Sequence, residues 1–443
     1  MTSTFSPKER VRYWPLVSEL GRWEPDPARL GTLCAERLVS ARDADAVAHF
    51  VDLSKVVECA VANLAGVPAV GSVPRLRELL AAALARRDEK RAARAEHAKH
   101  VVRVAADLGG GVIKGLALAR YYPDPALRHR GDVDLWFEEA TDALALVDRL
   151  WAEGDGWHWD THELPWLKWD GDRAYGQFKL RREVPGARTS VRVDVHFGGY
   201  SVGHLGLMPL TGFVVGSVDG VEIRVPTPET DLAILVGHAT GDAYTSLKDL
   251  NDLAVIAATR EVDWSRVYDA CRTVAVEPVL DGLITLVRER TGGAGLPEHR
   301  RTGRRLPLLD TSSGERARLT ALIAYRDARR RTGAISGVRA ALEALGYYSA
   351  DLRVRPDPSS RPRWRRSRSE CWRLVPEQVW TEMLPADGEP PTFRQDDPLL
   401  PGIAVYRSGS DWVASCGDEV LVPTVSGRVP ARTLLLADGV RRR

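Results

Sequence analysis

The run Asp132-Val133-Asp134-Leu135-Trp136-Phe137 constrains this chain more than any other stretch. Its branched and aromatic residues favour a strand, and side chains alternate across a strand. Asp132 and Asp134 are therefore expected on one face, with Leu135 and Phe137 pointing into a core. Carboxylates side by side repel and raise each other's pKa, a conflict most simply relieved by a cation between them. A third acid lies in Val191-Arg192-Val193-Asp194-Val195-His196-Phe197, with Asp194 and His196 on the polar face. As neighbouring strands, the two runs predict a three-carboxylate cluster able to hold Mg²⁺, a hard cation that takes oxygen ligands. A solvated strand edge is the competing account of these acids.

Immediately upstream, residues 109–113 read as a short Gly-rich strand, Lys114-Gly115 as a tight turn, and Gly115 to Tyr122 as a helix ending before Pro123. Backbone N–H groups of a turn that opens a helix can cradle phosphate oxygens. The chain has only eight lysines, arginine supplying the rest of its positive charge, so Lys114 is not the default cation here.

The totals set outer bounds. A chain of 443 residues has room for two or three domains and a sizeable core. A net charge of +2 gives no global attraction to nucleic acid or anionic membrane. The five cysteines are scattered without metal-ligand or redox spacing, which suggests free thiols in a reducing cytoplasm. No apolar run suggests a signal peptide or a membrane span.

Along the chain, residues 1–107 read as a helical region, including a long helix from Arg75 to Leu108 whose middle, Arg86 to Arg94, is a solvated charged face or a basic docking surface. Residues 108–226 mix strands and helices, with an amphipathic helix from Thr141 to Trp151 and a hairpin turn at Asp219-Gly220. His158, Asp160 and His162 share a strand face, a weak zinc pattern that ordinary alternation also explains. Residues 227–350 read as a helical domain, opened by Thr227 as N-cap and Pro228 at the first helical position. Its helices are expected at 231–240, 247–258, 264–274, 279–290, 317–329 and 334–345. On one of them Asp249 and Asp252, three apart, read as surface charge, with site residues as the alternative. Residues 351–370 form an Arg/Pro/Ser linker, with Arg361 to Arg368 interleaving arginine and tryptophan. Residues 371–443 form a small β-rich tail with strands at 403–406, 412–415, 419–422 and 433–436.

Lys114-Gly115, a helix ending Tyr121-Tyr122-Pro123-Asp124, then Arg128 and Asp132-Val133-Asp134-Leu135, resemble in order and spacing a bacterial nucleotidyltransferase family of the DNA polymerase beta-like superfamily. That family reads roughly L-K-G, then R, then D-I-D-L. Val193-Asp194-Val195-His196 resembles its V-E-V-H strand, and Leu250-Asn251-Asp252-Leu253-Ala254 with Val262-Asp263-Trp264 resembles its helical half. The resemblance runs from about residue 75 to 290. It departs before Lys114, where the family has a longer apolar run.

The resemblance implies an α+β fold: a mixed sheet with flanking helices, helical regions on either side and the small β-rich tail. It implies transfer of a nucleotide, or of phosphoryl groups, from a nucleoside triphosphate to a hydroxyl of a peptide, small-molecule or other acceptor. ATP is the first expectation, with two Mg²⁺ ions as cofactor. Asp132 and Asp134 would bridge both ions, and Asp194 would bind the one nearest the acceptor. Lys114, Gly115 and Arg128 would bind the nucleotide, the two cations facing its β- and γ-phosphates. His196 either supports Asp194 or the acceptor, or simply finishes its strand. The alternative is a non-catalytic nucleotide-sensing or peptide- or RNA-docking protein on the same fold.

Overall fold

The computed structural model describes residues 7–154, 156–159, 166–170, 173–202, 207–241, 245–274 and 276–298, with four further strands between residues 371 and 424. The helices expected at 317–329 and 334–345, the linker at 351–370, the strand at 433–436, and Asp160 and His162 lie outside the described residues.

Five helices come first: α1 (Pro7–Leu20), α2 (Pro27–Arg37), α3 (Ala41–Leu53), α4 (Val57–Leu64) and the long α5 (Val73–Asp107). Local signals place their starts. Asp26 caps α2 before Pro27, and Ser40 with Asp43 forms a capping box on α3. The mixed part follows: β1 (Gly111–Val112), α6 (Lys114–Leu118), β2 (Val133–Phe137), α7 (Ala140–Ala152), β3 (His158–Trp159), β4 (Trp166–Asp170), β5 (Arg173–Glu183), β6 (Ser190–Phe197), β7 (Tyr200–Ser201), β8 (Leu207–Met208), β9 (Phe213–Val218) and β10 (Val221–Pro226). Then come α8 (Pro228–Gly241), α9 (Leu247–Thr259), α10 (Trp264–Thr273) and α11 (Glu277–Thr291). The expected helix from Gly115 to Tyr122 is shorter than its pattern: α6 stops at Leu118 and a 3₁₀ turn covers Ala119–Tyr121.

The sheet is mixed. Its central order is β4-β5-β6-β2-β1-β10-β9, with β2–β6 and β1–β10 parallel and the other pairs antiparallel. Beyond β4 it continues through β11 (Cys371–Pro376), then β14 (Glu419–Thr424), β13 (Asp411–Cys416) and β12 (Ile403–Ser408), with β11 antiparallel to β4 and parallel to β14. At the β9–β10 turn Asp219 and Gly220 both have positive φ, as expected for a two-residue hairpin.

Two cores lie on opposite faces of the sheet. Val133, Leu135, Phe137, Val193 and Val195 pack with α7 and the end of α5. Trp136 belongs to the other core, with α8, α9, α11 and the N-terminal helices. The Gly-rich entry to β1 has a packing reason: a Cβ on Gly110 would lie 2.7 Å from the Phe137 ring and 2.9 Å from the Ala105 carbonyl oxygen. Cys34, Cys59 and Cys271 are free and buried. No described helix is long and apolar enough to cross a membrane.

Candidate active site

The site is built on β2 and β6. Burial of Leu135, Phe137, Val193 and Val195 on one face sets the register, because a one-residue slip would turn those side chains out. The register that results pairs Asp134 with Asp194, and Trp136 with His196. On the far side of β6, Lys179 of β5 pairs with Asp194 and Gln177 with His196. The polar row therefore crosses three strands, and Gln177 donates from Nε2 to Asp194 Oδ1 at 2.6 Å. Trp136 anchors the row's inner edge by stacking on Phe213, centroids 4.1 Å apart.

Ligand atoms of Asp134, Asp194 and His196 lie within 4.8 Å of one another. Asp132 is not in that group. Its strand begins at Val133, so Asp132 precedes it in a bend, exposed, while still lining the same cleft. Asp134, Asp194 and His196 thus form the tight cross-strand group, with Asp132 beside it on the cleft wall. Although its side chain reaches solvent, desolvation against the cleft wall and the charges of Asp134 and Asp194 raise the pKa of Asp132, opposed by Arg192 and Arg94.

Lys114 reaches into this cluster. Its φ is +52°, a left-handed conformation that is costly for a residue with a Cβ. The Ile113 N–H donates to the Asp134 carbonyl at 3.0 Å, which holds the turn above β2. Lys114 Nζ then stands 3.0 Å from Asp134 Oδ1, 3.8 Å from Asp194 Oδ2 and 3.1 Å from His196 Nε2. Burial opposes its charge, but Asp134, Tyr200 and Asp194 outweigh burial and hold its pKa well above the usual lysine range. Asp194 moves the other way. Burial pushes its carboxyl up, yet His196 and Lys114 hold it far below the ordinary carboxylate range. His196 is buried and stacks on Tyr200 with centroids 5.0 Å apart. Burial and the Lys114 charge lower its pKa, so the neutral ring accepts from Lys114 at Nε2, and Nδ1 is buried without a hydrogen-bond partner.

Arg128 is placed differently from its expected role. It is only 3 % exposed, its Nε and Nη2 donate to both carboxylate oxygens of Asp252 at 2.6 and 2.7 Å, and its Nη1 donates to the His129 carbonyl. All three nitrogens are engaged although the residue lines the cleft. Asp252 also accepts from Tyr122 at 2.8 Å, and Asp231 accepts from Tyr121 and Arg120 at 2.9 and 2.8 Å. The segment after α6 is thus clamped to α8 and α9. Reading Asp249 and Asp252 as surface charge is wrong: both are buried, and Asp249 forms a capping box with Ser246 at the start of α9.

The cleft above these residues has a volume of about 640 Å³. Lys55, Lys114, Lys179 and Lys248 line it, half of the chain's eight lysines. Sequence reading singled out only Lys114. The scarcity of lysine that marked it applied equally to the other three, but they come from the end of α3, from β5 and from α9, and no local pattern joins them. Gly115 also lines the cleft, with nothing within 4 Å of a Cβ built on it. Helix α6 has only five residues, so its dipole adds little at this turn. His158 lies apart, its Nδ1 3.2 Å from the Gly156 carbonyl oxygen.

A family model described as an uncharacterised nucleotidyltransferase matches residues 40–292. No curated protein matches the chain. Among solved structures, the chain is similar to an antigenic nucleotidyltransferase-like protein from Paracoccidioides brasiliensis. The two are 15 % identical over 46 % of this chain and 95 % of that one, with a TM-score of 0.30. It is also similar to JHP933 from Helicobacter pylori, 13 % identical over 61 % of this chain and 95 % of that one, with a TM-score of 0.25.

Proposed function

The chain belongs to this nucleotidyltransferase family, and on that premise we propose that it transfers a nucleotidyl group from a nucleoside triphosphate, ATP first among candidates, to a hydroxyl of an acceptor. One observation carries the reading: Asp134 and Asp194 are register partners on parallel strands, and with His196 they offer three ligand atoms within 4.8 Å at the edge of the lysine-lined cleft.

The residues fit a divalent cation. Asp134 and Asp194 supply hard oxygen donors, Asp132 extends the oxygen set from the bend before β2, and Mg²⁺ prefers such ligands. Two Mg²⁺ ions would be held by Asp132, Asp134 and Asp194. When bound, they offset the triphosphate's charge and make the acceptor hydroxyl more acidic.

The chain's own groups do the rest. Lys55, Lys179 and Lys248 surround the triphosphate, and Lys114, tethered at the acid pair, adds a cation beside it. Arg128 lines the same cleft while paired with Asp252, and Lys248 does so while paired with Asp249. Gly115 leaves room for phosphate against the turn. Gln177 fixes the carboxylate of Asp194 so that it points into the cleft. With its pKa held low, Asp194 is ionised and ready to serve as a ligand. His196, neutral and buried, backs the pair.

The test is incubation of the pure protein with each labelled nucleoside triphosphate and Mg²⁺, alongside Asp134→Asn with Asp194→Asn. Product formation that the double variant loses supports transfer. Tight nucleotide binding with no turnover on any acceptor would leave the nucleotide-sensing alternative. Full turnover by the double variant would exclude the mechanism.

A further inference from the structure

A second concavity of about 300 Å³ adjoins the cleft, and Asp132 lines both. Its cations are Lys90 and Arg94 of α5, Arg181 of β5, Arg188 of the β5–β6 turn, and Arg192 of β6. Asp132 and Glu183 are the opposing carboxylates. The local excess of positive charge is larger than the +2 of the entire chain. Ordinary pairing does not consume it. Arg181 meets Glu183, yet its Nε is buried without a hydrogen-bond partner. Arg94 donates only to the Lys90 and Gly131 carbonyl oxygens, and burial, Arg192 and Arg91 hold its pKa below the usual guanidinium range against the pull of Asp132. Like charges gathered beside one partly enclosed space repel each other, which disfavours the bare arrangement and favours an anion in it.

We infer that this groove holds the sugar–phosphate backbone of a single-stranded nucleic acid whose terminal hydroxyl reaches the acid cluster. The inference deepens the transferase reading and rests on it for the meaning of that hydroxyl. Two features select this partner over an acidic peptide. Four of the five cations are arginines, whose planar fork matches phosphate oxygens two at a time. The groove also begins at Asp132, so the group bearing the acceptor hydroxyl has its anionic neighbour directly behind it. A nucleic acid strand has that arrangement at its 3′ end, one phosphodiester behind the terminal sugar. A peptide carries no charge at a fixed distance from its hydroxyl.

The experiment measures binding of a fluorescein-labelled twelve-nucleotide single-stranded RNA to the full chain by anisotropy, in EDTA and without nucleotide, over a series of salt concentrations. The comparison protein is Arg188→Glu with Arg192→Glu, both exposed positions, checked for folding by its melting temperature. Wild-type binding should weaken with salt at a slope of about −0.7 per phosphate neutralised. The double variant should bind at least tenfold more weakly, with a shallower slope. Absence of wild-type binding, or equal binding by a folded double variant, overturns the proposal. So does displacement of the RNA by a glutamate peptide of equal charge at equal concentration, which would assign the groove to acidic peptides. MgATP binding by the wild-type protein is measured separately. If it is intact while RNA fails to bind, the groove inference falls and the transferase reading stands. If RNA binds and no triphosphate does, the transferase reading falls.

Discussion

Lys114 Nζ lies 3.0 Å from Asp134 Oδ1, so the cation that balances the acid pair belongs to the chain itself. Replacing Lys114 with Met leaves Asp134 and Asp194 facing each other with little water around them. Without divalent cation this should cost about 2–3 kcal/mol of stability, somewhat less than the loss of one partner of a fully buried pair. Millimolar Mg²⁺ should restore much of the loss, and raise the melting temperature of the variant more than that of wild type. Thermal unfolding of both proteins in EDTA and in Mg²⁺ checks this. A variant as stable as wild type in EDTA would show that the pair needs no internal cation.

Asp132 gives the opposite sign. Its charge is disfavoured by partial desolvation in the cleft and by Asp134 and Asp194. Asp132→Asn should leave the melting temperature in EDTA unchanged or slightly higher. Turnover should fall on the order of a hundredfold or more, about 3 kcal/mol of lost transition-state stabilisation. Retained turnover would remove Asp132 from the metal set.

Arg128 should act through the fold. Arg128→Met leaves the Asp252 carboxylate buried without its bidentate partner, at a cost of about 3–5 kcal/mol. Adding Asp252→Asn should recover part of it, because the unpaired charge is then gone. A double-mutant cycle by denaturant unfolding measures the coupling. A stable Arg128→Met protein with weakened triphosphate affinity would restore the phosphate-binding role.

His196 makes stability sensitive to acid. Its folded-state pKa lies below the ordinary 6.5. Above pH 6.5 both folded and unfolded forms are neutral there and nothing is at stake. As pH falls below 6.5 the unfolded chain takes up a proton that the buried ring resists, and stability is lost. Between pH 7 and pH 5 wild type should lose more stability than His196→Gln. Parallel pH profiles for the two proteins would show that the ring protonates as readily folded as unfolded.

Features that depend on neighbours within a turn or a strand were legible along the chain. Alternation placed Asp134 and Asp194 opposite the buried Leu135, Val193 and Val195, and Thr227-Pro228 and Asp219-Gly220 marked a helix start and a hairpin. Those signals are local, so they survive without knowledge of the partner elements. Ser246 and Asp249 carried a capping signal too, but α9 is buried on nearly all sides, and acids on such a helix read as surface charge until its surroundings are known. The pairings across long separations come from how the elements pack together. Arg128 meets Asp252, 124 residues away, and Lys114 meets His196, 82 residues away. Asp132 sits in the bend before β2, at the wall of the cleft that Asp134 and Asp194 share. These outcomes depend on which buried faces pack against each other. That packing sets the register of β2 on β6 and the fit of α9 against the segment after α6, and neither can be read from spacing along the chain.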